Sequence, residues 1–153
     1  MLRGRAHHSM GRVAVTVQNF ARWFGIVYLV VGVVGFVPGI TVMHTPPPEV
    51  HLATSYGDEL GLFPVNVFHD FVHLAIGVWG LAAAATFGGA RAFARGLAVF
   101  YGVLSVAGLV PGSNVLFGLT PLFGWDVFLH VASAALAAYI GWGLRQGAAP
   151  RAA

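Results

Sequence analysis

Near-continuous apolar residues run through four stretches of this chain, at about 20–37, 65–87, 94–110 and 125–144. Each has about the 17–25 residues that a helix needs to cross a hydrocarbon core about 30 Å thick. The polar breaks between them differ in kind. Residues 38–64 form a long loop containing Pro46-Pro47-Pro48, Gly88-Gly89-Ala90-Arg91 reads as a tight turn, and Pro111-Gly112-Ser113-Asn114 stops the third stretch. The pattern predicts an all-α integral membrane four-helix bundle over 20–144, with a disordered cytoplasmic tail at 1–19 and a short cytoplasmic tail at 145–153.

Composition agrees with that reading. Of 153 residues, 58% are hydrophobic and only 8% charged, with a mean hydropathy of +0.79; soluble domains carry about 25% charged residues. There is no cysteine, which excludes disulfides, thiolate metal sites and iron–sulfur clusters. The basic residues are all arginine, and with the abundance of Ala and Gly they suggest a bacterial source.

Charge adds a direction. Arg3, Arg5, Arg12 and Arg22 precede or open the first stretch, Arg91 and Arg95 lie at the middle turn, and Arg145 and Arg151 follow the last. An up-down-up-down path puts all of these on one side and all the acidic residues, Glu49, Asp58, Glu59, Asp70 and Asp126, on the other. The positive-inside rule then places both termini in the cytoplasm of a bacterial cell and the long loop outside. The arginines therefore serve topology, and nucleic acid is not expected as a partner; the lipid bilayer is, and a homo-oligomer is compatible.

The chain also repeats itself. A shift of 73 aligns Ala21 with Ala94, Arg22 with Arg95, Tyr28 with Tyr101, Gly35 with Gly108, and Val37-Pro38-Gly39 with Val110-Pro111-Gly112. A shift of 57 aligns Gly61 with Gly118, Pro64 with Pro121, His73 with His130 and Ala75 with Ala132. Two parallel helical-hairpin repeats related by a pseudo-two-fold axis along the membrane normal follow from this.

The repeat creates a candidate site. Asn66, His69, Asp70 and His73 open the second stretch, and Asp126 and His130 open the fourth. His69 aligns with Asp126 and His73 with His130, and each i, i+4 pair shares a helix face. Facing the axis, they form a polar cluster with His73 about 10–12 Å along its helix, where a lipid-facing imidazole is costly. His73 and His130 are expected to approach each other, with His69 and Asp126 one turn nearer the outer surface and Asp70 at the edge or capping the helix.

Several chemistries suit such a cluster. It can be interhelical glue worth about 0.6 kcal/mol per bond. It can be a divalent transition-metal site of His69, His73, Asp126 and His130. It can be a haem b held between His73 and His130, or a path for protons or small solutes. No phosphate loop, nucleophile elbow or zincin motif occurs, since His69-Asp70-Phe71-Val72-His73 lacks the glutamate of HExxH; an enzyme is not expected. Gly25, Gly32, Gly35 and Gly39 on the first helix and Gly102, Ser105, Gly108 and Gly112 on the third read as close-packing positions, Trp23, Trp125, Tyr139 and Trp142 as interfacial anchors, and His44 and His51 as solvated loop residues.

The segments from Leu62 to Leu74 and from Trp125 to His130, with the Gly35-Phe36-Val37-Pro38-Gly39 helix ending, resemble the bacterial four-helix membrane family catalogued as a domain of unknown function, number 4383. The family's pattern is Asn-x-x-His-(Asn/Asp)-x-x-His-Leu in the first repeat and Asn-x-x-Asp-x-x-x-His in the second. Phe123 stands here at the second Asn. The resemblance covers about Ala21 to Gly143 and implies a multi-pass membrane location with no established activity. The first expectation is a structural or interaction protein whose cluster joins the two repeats; the alternative is a metal- or haem-binding membrane protein with a redox, sensing or transport role.

Overall fold

A computed structural model describes residues 16–144, so the expected tails lie almost wholly outside the described residues. Four α-helices dominate: α1 (Val17–Val34), α2 (Val67–Ala83), α3 (Phe87–Leu109) and α4 (Trp125–Ala138), the last continued by one π-helical turn at Tyr139–Gly143. Val17–Val34, Phe87–Leu109 and Trp125–Gly143 are each long and apolar enough to cross a membrane, while α2, at 17 residues, is shorter.

Local chemistry sets the ends. Thr16 caps α1, its hydroxyl accepting from the Asn19 N–H at 3.1 Å. Asn66 caps α2 by accepting from the His69 N–H at 3.1 Å. Thr86 caps α3 by accepting from the Gly89 N–H at 3.0 Å. That last cap corrects the expected inner turn. Gly88–Arg91 is the first turn of α3, and the chain reverses over Ala84–Thr86 instead. Glycine costs little there, because the first turn's N–H groups lack intrahelical partners in any case.

α1 packs along α2 and α3 along α4, and α3 also touches α1 and α2. Glycines allow the closest approaches. A methyl on Gly25 would stand 2.9 Å from the Gly77 carbonyl, and one on Gly32 2.9 Å from the Asp70 carbonyl. The buried core gathers Phe20, Phe93, Leu97, Tyr101 and Ile140 with Ala21, Ala94 and Ala137. Outward lie exposed valines at helical spacing, Val27, Val30 and Val33 on α1 and Val99, Val103 and Val106 on α3. Apolar faces of that extent suit lipid.

The long first loop is not all loop. It holds a three-stranded antiparallel sheet in the order β1 (Thr41–Met43), β2 (Gly57–Glu59), β3 (Phe63–Val65). Glu59 in the central strand pairs in register with Thr41 on one side and Phe63 on the other. A fold of helices alone is thus corrected to helices plus a small sheet.

Candidate functional site

The sheet and the starts of α2 and α4 enclose the polar cluster. Asn66, fully buried, organises this end: besides capping α2, its amide donates to the carbonyls of Leu52 and Leu119, both at 2.8 Å. One side chain thereby ties both loops to the helix. One turn on, His69 points toward α4, and its Nε2 lies 3.9 Å from Asp126 Oδ2. His130 Nε2 lies 3.5 Å from the same oxygen. One donor atom from each of His69, Asp126 and His130 falls within 4.8 Å of the others, and all three residues are buried.

His73 and His130 line one cavity among the helices. The His73 ring stands 4.5 Å from that of His69 and 5.3 Å, edge-on, from Tyr28, and it is not one of the three converging donors. Across the helices, the ring centroids of His69 and His130 stand 6.2 Å apart. Asp70 faces the other way. Its carboxylate occupies the space that a side chain at Gly35 would fill, so it joins α2 to α1. His44 and His51 stay outside: His44 pairs with Asp58 at 3.0 Å, and His51 rests on Gly118.

The family model for the Domain of unknown function (DUF4383) matches residues 18–143. The chain belongs to this family. No curated protein and no solved structure matches it. For this DUF4383 chain the site's chemistry therefore has to be read from its own atoms.

Those atoms are short of partners. His69 Nδ1, His73 Nδ1, His130 Nδ1, Asp126 Oδ2, both Asp70 carboxylate oxygens and the Tyr101 hydroxyl are buried without a hydrogen bond to the described residues. Contacts of 3.5 and 3.9 Å are too long for good N–H···O bonds, and each buried unpaired group costs about 1–3 kcal/mol. Native sites carry few such groups, and here all of those named but the Asp70 oxygens gather around the His69–Asp126–His130 cluster.

Two contributors are invisible as motifs. Glu59, 4% exposed, comes down from β2 beside Asp126, and burial pushes its carboxyl up to about 7. Tyr101 of α3 lies 4.9 Å from the His130 ring and stacks on Tyr28 at 5.7 Å. The tyrosine pair had a trace in the sequence, for the repeat aligns Tyr28 with Tyr101. Glu59 had none, because nothing in the loop sequence marks a strand folding back on the helices.

Proposed function

We propose that this chain is a multi-pass protein of the bacterial cytoplasmic membrane, a bundle of two hairpin repeats, that binds a divalent first-row metal between them through His69, Asp126 and His130. One observation carries this: three buried donors from α2 and α4 converge within 4.8 Å at distances too long for hydrogen bonds and close to those of ligands around one ion. A tetrahedral Zn²⁺ with bonds of about 2.0–2.1 Å holds its ligands about 3.3 Å apart. Neutral imidazoles and a carboxylate suit zinc or a neighbouring divalent ion. Three protein ligands leave a fourth position open, with His73 and Glu59 nearby. A purely structural lock draws less support, because its bonds are stretched to 3.5 and 3.9 Å. A haem on His73 and His130 draws least: the rings of Tyr28 and Tyr101 stand 5.3 and 4.9 Å from those imidazoles and pack directly beside them.

The test is metal analysis of the detergent-purified protein after equilibration with Zn²⁺. About one ion per chain and a zinc-dependent rise in melting temperature are expected, with both lost in His69→Gln and His130→Gln. A wild type that takes up no ion and melts at the same temperature with or without zinc would leave the cluster as a lock between helices.

A further inference from the structure

A cavity of about 260 Å³ lies between α1 and α4, beneath the outer sheet. At about 30 Å³ per liquid water it has the room of some nine waters, or one substituted ring. Its walls are apolar and partly aromatic, from Phe24, Val27, Val31, Phe63 and Leu129. Its rim is lipid-facing, since Val27 is 54% and Leu129 47% exposed. The inner end is polar: His73, Tyr101, Asp126 and His130 line it and are 8%, 1%, 4% and 2% exposed. Each carries a buried ring nitrogen, hydroxyl or carboxylate oxygen with no hydrogen-bond partner. Beside them the Tyr28 hydroxyl donates to Ser133 Oγ at 3.3 Å, which leaves the Ser133 proton free to donate onward. Glu59 closes the outer end.

We infer that this cavity binds a lipid-soluble ring bearing carbonyl oxygens, of the quinone class, entering sideways from the bilayer between α1 and α4. The Tyr101 hydroxyl and the Ser133 proton are donors without acceptors there, and each neutral imidazole has one N–H to give, which together call for a ligand with acceptor oxygens. The aromatic walls suit a flat ring. The volume holds a ring and not its tail, and the exposed rim lets a tail run out among the lipid chains. An acyl chain would fill the walls and leave every inner donor unpaired, at the cost of each buried unmade bond. A quinone has a second acceptor oxygen across its ring, and the cavity's other end, where Glu59 lies, is polar as well. Asp126 and His130, two of the three donors in the metal reading, also line the cavity, so the ring would sit against the metal position; His69, the third donor, does not line it and separates the two in a test.

Calorimetric titration of the full-length protein in detergent with decylubiquinone tests this. Saturable one-to-one binding is expected, with a rise in melting temperature, and 1-decanol at equal concentration should produce neither. Val27→Trp closes the rim from an exposed position and should weaken binding about tenfold or more. Tyr101→Phe keeps the ring packing and should weaken it about five- to tenfold, the worth of one hydrogen bond. His69→Gln should bind the quinone as the wild type does while losing metal. Equal binding of decanol would make the cavity an acyl-chain pocket and overturn the inference. No saturable binding, or binding untouched by both Val27→Trp and Tyr101→Phe, would also overturn it. Loss of quinone binding in His69→Gln would assign the ligand to the metal and remove the separate site.

Discussion

At the scale of single residues, Glu59 and Gly35 make the sharpest claims. Burial holds the Glu59 carboxyl at about 7 against an ordinary 4.5, because desolvation penalises its charged form. Between those two values the unfolded chain has released this proton and the folded chain keeps it. Stability therefore falls as pH rises through that window and levels off above it. Melting curves from pH 4 to 9 should show Glu59→Gln losing that part of the slope and gaining most over wild type at pH 8; superimposable profiles would mean that the carboxylate is solvated. Gly35 is fixed by space, since any side chain there meets the Asp70 carboxylate, whereas Gly102 has nothing within 4 Å. Gly35→Ala should cost about 1–3 kcal/mol, and Gly102→Ala should be neutral or stabilise by up to about 1 kcal/mol. Chemical denaturation in mixed micelles separates the two. The cluster residues were legible because charged groups stand out in an apolar helix and the repeat pairs them. Asp70 was legible as polar but not as the group that excludes a side chain from Gly35, since that depends on helix rotation.

At the scale of elements, the apolar stretches located all four helices and misjudged their ends. Expected starts at 20, 65 and 94 become Val17, Val67 and Phe87, because capping by Thr16, Asn66 and Thr86 decides where each helix begins and hydropathy does not see it. The sheet escaped notice because three-residue strands are too short to show alternation. The two kinds of cap should also differ in worth. Thr86→Ala removes one bond near the surface and should cost about 1 kcal/mol. Asn66→Ala removes the cap and leaves the Leu52 and Leu119 carbonyls without their 2.8 Å donor, so about 2–4 kcal/mol is expected. A ranking in the reverse order, measured by unfolding in the same detergent, would mean that the loops are not held through Asn66. The end of α4 is fastened by similar means. Arg91 and Arg95 both donate through Nε to the Gly141 carbonyl at 3.0 Å, where the helix widens into its π turn and frees that carbonyl.

At the scale of the whole molecule, the charge pattern and the packing agree on one axis. Arg91 and Arg95 at the start of α3 reach the end of α4, so the basic turn and the C-terminal end of the helices lie together. Glu59, Asp70 and Asp126 collect at the other end, with the sheet. Basic residues are retained on the cytoplasmic side during insertion, and carboxylates at the starts of α2 and α4 are favoured by the helix dipoles. The first effect is the one that sets sidedness, and on it we propose that α2 and α4 start at the outer surface; the second holds whichever way the chain is inserted. The absence of cysteine allows a direct test, since any single introduced thiol is the only one in the chain. Ala53→Cys lies in the long loop between α1 and α2 and Gly88→Cys in the first turn of α3, both at exposed positions, whereas Ala90 is buried and unsuited to labelling. A membrane-impermeant maleimide added to intact cells should modify Ala53→Cys and not Gly88→Cys, and permeabilisation should make both react. The reverse pattern would place the His69–Asp126–His130 cluster and the mouth of the cavity in the inner leaflet. Any metal entering the site would then come from the cytoplasm, where zinc is tightly buffered, instead of from the cell exterior.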